Sequence, residues 1–141
     1  MFNLQRLQVH ENHIETLETD SFTNLLSATN FDAINLAHNK LVFLGPRLFV
    51  ELLNLSSLDF GSNRISSIDS QSFRGVERSL EWLKLGDNRL KQIPAISLQN
   101  LTGLRELDLR DNQIEAIQIN DFRTYGESIK FLYLQKNRYV L

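Results

Sequence analysis

The stretch Leu80-Glu81-Trp82-Leu83-Lys84-Leu85-Gly86-Asp87-Asn88-Arg89-Leu90 decides how this chain is read. Leu83 and Leu85 lie two apart, so an extended backbone turns both to one face and Trp82, Lys84 and Gly86 to the other. So short a strand buries little alone and needs neighbours of the same pattern. They are present. The asparagine returns as Asn12, Asn39, Asn63, Asn88, Asn112 and Asn137, at separations of 27, 24, 25, 24 and 25 residues. Around each, the apolar frame returns too, starting near residues 4, 31, 55, 80, 104 and 129.

The interval between frames is equally regular. An aliphatic follows each frame (Leu17, Leu44, Ile68, Ile93, Ile117), then an aromatic or leucine (Phe22, Phe49, Phe73, Leu98, Phe122). A further apolar residue stands three on (Leu25, Leu52, Val76, Leu101, Tyr125). Three extra residues near Leu26-Ser27-Ala28-Thr29-Asn30 predict a longer loop in the first unit. Units of this length cannot each close a core, so stacking must bury a continuous one. A parallel six-stranded ribbon of leucines, closed on its far side by the Ile68 and Phe73 type positions, follows. The bulkier outer segments bend the stack with its strands inside. Where the chain leaves each strand and turns inward, backbone groups need partners. An asparagine amide both donates and accepts, so the six asparagines predict a ladder of hydrogen bonds.

The motif LxxLxLxxNxL, met at all six sites, resembles the leucine-rich repeat family over essentially the full length. The resemblance implies an α/β solenoid, a right-handed βα superhelix of horseshoe form with the parallel sheet on its concave side. Residues 1–141 are expected to form one domain without capping modules, leaving an apolar end at each terminus and favouring self-association. The 24-residue period with phenylalanine in the second half is similar to the subclass of Toll-like receptors, Slit and chaoptin-like adhesion proteins. Ser79-Leu80-Glu81-Trp82-Leu83-Lys84-Leu85 most resembles the chaoptin-like chains.

Composition sets the other limits. The chain has 141 residues, 42% hydrophobic and 23% charged, with a formal net charge of -2. That is a globular composition without bulk attraction for polyanions. No apolar run approaches the ~20 residues of a membrane span, so no membrane insertion is expected. The residues after Met1 lack the pattern of a signal peptide. With no cysteine there is no disulfide framework, thiol nucleophile or thiolate metal site. Neither half is basic enough for nucleic acid: residues 1–70 carry 4 basic and 8 acidic side chains, residues 71–141 carry 11 and 9.

Since leucine, phenylalanine and asparagine are consumed by the scaffold, function falls to the variable positions. Across the strands these form three outward columns: Arg6, Ala33, Ser57, Trp82, Glu106, Phe131; then Gln8, Asn35, Asp59, Lys84, Asp108, Tyr133; then His10, Ala37, Gly61, Gly86, Arg110, Gln135. The last three repeats gather Trp82, Phe131 and Tyr133 beside Lys84, Glu106, Asp108 and Arg110, the composition of a protein-binding hot spot. A fourth column follows the asparagines: His13, Lys40, Arg64, Arg89, Gln113 and Arg138. Such a strip suits anionic sugar or lipid headgroups, but Glu11, Asp87 and Asp111 stand two positions earlier and are expected to neutralise it.

Catalytic motifs are missing: no GxSxG, Walker loop, GxGxxG or HExxH. Glu106 and Asp108 share an outer face where water is expected to reach both, so neither suits general acid work. No cofactor is expected. His10, His13 and His38 with Glu11 make at most an adventitious metal site. Sequons occur at Asn54 and Asn100, roughly the number chance supplies at this composition. The sequence therefore predicts a non-enzymatic module that binds a protein through its concave C-terminal half, as part of an extracellular or cell-surface adhesion, receptor or matrix protein. The alternative is an intracellular scaffold or regulatory subunit, the cytoplasmic setting that zero cysteines and the absent leader favour.

Overall fold

The computed structural model describes residues 3–25 and 28–140. Six three-residue strands, β1 (Arg6–Gln8), β2 (Ala33–Asn35), β4 (Ser57–Asp59), β6 (Trp82–Lys84), β7 (Glu106–Asp108) and β8 (Phe131–Tyr133), form one parallel sheet in the order β1-β2-β4-β6-β7-β8. The register holds along the row Arg6, Ala33, Ser57, Trp82, Glu106, Phe131, each residue opposite the next. The chain is a solenoid of stacked turns. Of the proposed longer loop in the first turn, Leu26 and Ser27 lie outside the described residues.

Burial follows the period-two pattern. The central residues of the inner strands, Ile34, Leu58, Leu83 and Leu107, are sealed in the core, as are Leu36, Phe60, Leu85 and Leu109. Behind them Phe22, Phe49 and Phe73 stack turn on turn, with ring centroids 5.6 and 6.4 Å apart. Offset aromatic stacks of this spacing add about 0.5 to 1.5 kcal/mol per pair beyond their area. At the first and last turns the equivalent side chains are less covered: Leu4 and Leu7 at one end, Ile129 and Leu134 at the other, are only half-buried, and Leu132 is 39% exposed.

The asparagines do the connecting. Asn39, Asn63, Asn88 and Asn112 are buried, and each spans two turns. Asn88 Oδ1 accepts from Ile65 N in the previous turn at 2.9 Å, while its Nδ2 donates to Phe60 O in that turn and Leu85 O in its own at 3.0 and 3.1 Å. The same pattern joins Asn39 to Ile14 and Val9, Asn63 to Leu41 and Leu36, Asn112 to Leu90 and Leu85, and Asn137 to Ile114 and Leu109. Asn12 is exposed, and among the described residues its side chain bonds Val9 O and His10 O alone.

The residue before each asparagine carries a positive φ of 52 to 58° in all six turns: Glu11, His38, Ser62, Asp87, Asp111 and Lys136. This left-handed residue is the corner by which the chain leaves the sheet, and it costs an L-residue about 1 to 2 kcal/mol. Aspartate tolerates it better than most. The corner stays bonded to the next turn, as where Ser62 N donates to Gly86 O at 2.9 Å.

The outer side departs from a helix in every turn. Among the described residues it consists mostly of turns, with a 3-10 segment at Thr23–Leu25, one helix α1 (Ala95–Leu98) and a parallel pair, β3 (Phe43–Leu44) with β5 (Ser67–Ile68). One ladder donor is missing on the far side of β5. Asp69 N donates to Leu44 O, and the equivalent position one turn on is Pro94, which has no N–H. Ser97 Oγ donates to Ile68 O instead, as Ser72 Oγ does to Leu44 O, both at 2.8 Å. Ile117, read from the period as part of the closing row, is 49% exposed. Its equivalents Leu44 and Ile93 are covered.

Candidate functional site: the concave face

The strands place the sequence-derived residues in two adjacent rows. Trp82, Glu106 and Phe131 stand side by side on β6, β7 and β8; two residues along, Lys84, Asp108 and Tyr133 do the same. Trp82 is 40% and Phe131 55% exposed, although both are large and apolar. Lys84 and Arg110 are exposed, and Glu106 and Tyr133 are half-buried.

Asp108 differs from its expected role. It is 4% exposed, screened from water by the side chain that neutralises it. Its carboxylate accepts from Arg110 N and Nε at 3.0 Å and from Arg110 Nη2 at 2.7 Å. A planar guanidinium forks onto a carboxylate in this way, and a point-charge ammonium does not. Hydrogen bonding to Asp108, then its charge, push the Arg110 guanidinium still further up from its high ordinary value. The guanidinium also lies 5.3 Å from the Tyr133 ring centroid. Asp108 is therefore a positioning residue: it fixes Arg110, and Arg110 covers Tyr133. Sequence spacing does not distinguish this pairing from one across strands.

Beside this cluster the third column is short. Ala37, Gly61 and Gly86 leave a polar depression of about 570 Å³, bounded by Asp59, Lys84 and Arg110. A methyl on Gly61 would sit 3.1 Å from Asp59 Oδ1, and one on Gly86 3.2 Å from Asp108 Oδ1. The run of small residues was the available signal for this hollow. The face thus has an aromatic shelf on β6 to β8 and a polar dip toward β2 and β4.

Elsewhere, the expected neutralisation of the basic column does not form. The ion pairs among the described residues are Arg6–Asp32, Arg105–Glu81, Arg110–Asp108 and Lys136–Asp111. Asp111 therefore pairs across to the next turn, and Glu11 and Asp87 pair with nothing in the column. The carboxylates sit on the corner residues, whose left-handed backbone sends them away from the residue after the asparagine. Among the described residues no three histidine or carboxylate side chains are arranged for a metal ion. No helix among them is long and apolar enough to cross a membrane. Asn54 and Asn100 are exposed, and Asn54 Nδ2 donates to Thr29 O at 2.7 Å.

A repeating parallel strand, an asparagine ladder and an open concave face define a solenoid built to present a surface. The chain belongs to the leucine-rich repeat family: the family described as Leucine rich repeat matches residues 29–78 and 78–138. Osteomodulin of Rattus norvegicus is 32% identical over 101 residues, which cover 70% of this chain and 22% of that protein. Chaoptin of Drosophila melanogaster is 38% identical over 98 residues, 70% of this chain and 7% of its own length. Among solved structures, the Toll–Spatzle complex of Drosophila superposes with a TM-score of 0.85 at 28% identity, covering 98% of this chain and 18% of that one. The chain thus spans a quarter or less of these relatives. Receptors, matrix and adhesion proteins stand among its homologues, and members of the family generally act as interaction modules.

Proposed function

We propose that the solenoid binds a protein ligand through its concave face, in an extracellular or cell-surface adhesion, receptor or matrix protein, without catalysis. The observation that carries this reading is Trp82, 40% exposed in one row with Phe131 at 55%. Large rigid aromatics on a sheet supply contact area at little entropic cost. The matched relatives osteomodulin and chaoptin, and the structural likeness to Toll in complex with Spatzle, support it. Exposed sequons at Asn54 and Asn100 suit a glycosylated chain.

Size sharpens the proposal. Six strands at ~4.8 Å and five residues at ~3.3 Å give a strip on the order of 400 Å². A stable complex takes about 800 Å² from each partner. The binding energy must therefore concentrate on Trp82, Phe131 and Tyr133, with Lys84, Glu106 and Arg110 orienting the ligand around them.

The test is a bivalent fusion of the chain screened against an array of extracellular domains, followed by substitution. Trp82→Ala should weaken the captured pair by more than ~1.5 kcal/mol, and Ser57→Ala by less than ~0.5. Large losses at His10, Asn35 or Phe122 with none at Trp82 would overturn the choice of face.

A further inference from the structure

The flank just past the asparagine ladder carries a second surface. Each left-handed corner turns its asparagine inward, and the following residue emerges outward. In the second, third and fourth turns these residues are Lys40, Arg64 and Arg89. Leu90 is buried between Arg89 and Lys91, so Lys91 emerges beside Arg89. Arg64, Arg89 and Lys91 are exposed, Lys40 is half-exposed, and among the described residues none of the four makes an ion pair. Over residues 38–42, 62–66 and 87–91 the only carboxylate is Asp87, and it makes no ion pair either. Four cations thus stand along the solenoid axis on a chain whose net charge is -2.

We propose that this flank binds a linear sulfated polysaccharide laid along the axis. The arrangement is a line: successive turns advance by about one strand spacing, ~4.8 Å, a step close to the length of one sugar residue. Ser66, exposed two residues past Arg64, supplies a hydroxyl donor for sulfate oxygens. Arg89 and Lys91 also line a groove of about 1110 Å³ with Ser66, Ser67 and Gln92. The rest of its lining includes Asp69, Glu115 and Asp121, which confine a polyanion to the edge formed by Arg89 and Lys91. Glu15 in the first turn and Glu115 in the fifth bound the strip, so it accepts a short sulfated segment. Phe43 is the one aromatic beside it, which leaves single-stranded nucleic acid without the succession of stacking platforms it uses. A membrane would engage a plane of cations set among apolar side chains, whereas these cations follow one flank, with Val42, Phe43 and Ile96 as the exposed apolar side chains near it.

The experiment measures binding of a size-defined heparin octasaccharide to the full chain between about 50 and 200 mM salt, where counterion release is readable. The parent should bind, with affinity falling as salt rises. Arg64→Ser with Arg89→Ser should weaken binding at least about tenfold and flatten the salt dependence, since two of the neutralising cations are gone. Arg74→Ser with Arg123→Ser removes the same charge from other exposed positions and should change affinity by less than about twofold. Thermal melts of both double variants, matching the parent, show that the fold is intact. Trp82→Ala should leave octasaccharide binding unchanged, which separates this surface from the concave face. No binding by the parent, equal losses in the two double variants, or loss in Trp82→Ala overturns the proposal. So does tighter binding of an equally charged oligonucleotide or of phosphatidylserine vesicles.

Discussion

Replacing Asn88 by alanine separates the third and fourth turns without touching a strand. In the native structure Ile65 N donates to Asn88 Oδ1, and the amide nitrogen serves Phe60 O, Leu85 O and Gly86 O between 3.0 and 3.1 Å. Alanine leaves the Ile65 N–H buried without that acceptor, a penalty of about 1 to 3 kcal/mol. Losing the donor to three carbonyls adds about 1 more, because a bond shared three ways is weak in each branch. The expected loss is roughly 2 to 4 kcal/mol, a large share of the stability of a domain this size. Asn12→Ala is the internal control: that side chain is exposed and reaches only Val9 O and His10 O, so water replaces it at a cost of about 0.5 kcal/mol or less. Urea denaturation followed by far-ultraviolet circular dichroism measures both. The midpoint of Asn88→Ala should fall with its slope unchanged, and that of Asn12→Ala should stay near the parent's. Equal midpoints for the two variants would refute the account of the asparagines as bridges between turns.

Tyr125 is buried and its hydroxyl finds no partner, so Tyr125→Phe should raise stability by about 1 kcal/mol at neutral pH. Burial, then the charge of Asp121, push the Tyr125 hydroxyl well above its ordinary 10.0. Because the folded value lies above the unfolded one, this contribution is whole below about pH 10 and is lost as pH rises further; alkaline unfolding monitored by fluorescence should therefore be blunted in Tyr125→Phe, and identical curves would contradict this. Glu51 holds a φ of 72° where the next turn has Gly75 at 102°, so Glu51→Gly should stabilise by about 0.5 kcal/mol, the relief of strain exceeding the added chain entropy. Gly75→Ala should cost more than about 1 kcal/mol, since its Cβ would lie 3.0 Å from Val50 Cα; thermal melts in which both variants shift the same way would count against this. The half-exposed leucines of the first and last turns should make the 141-residue chain self-associate as concentration rises, and a clean monomer in sedimentation at high concentration would oppose it.

Much of this architecture was legible because it is periodic. The frame around Asn88 recurs six times, and a period-two pair such as Leu83 and Leu85 has one way to bury itself in a parallel ribbon. What stayed hidden depends on which neighbour a side chain reaches. Glu106 and Asp108 read alike in a strand, yet Arg110 folds back over Asp108 alone and buries it. Asp87 and Asp111 look placed to neutralise Arg89 and its neighbours, but the left-handed corner sends them elsewhere, and Asp111 reaches Lys136. On the outer side Pro94 has no N–H where Asp69 N closes the pair of β3 and β5 one turn earlier. Ile117 fits the period and is still half-exposed, whereas its equivalents Leu44 and Ile93 are covered.

The corner and its asparagine also explain how one short unit carries two surfaces. Three and five residues before the corner the chain faces the concave side, where Trp82, Lys84 and Glu106 can vary without disturbing the core. One residue after the asparagine it faces the flank, where Lys40, Arg64 and Arg89 are equally free. Between them runs a row of asparagine amides whose hydrogen bonds tie consecutive turns together. Groups separated by such a rigid partition, with no shared partner, contribute to binding almost additively. A concave strip of about half the usual contact area is therefore a weaker constraint on affinity than it looks. A ligand complex that also engages the flank gains independent contacts on a scaffold already ordered, with little further entropy to lose.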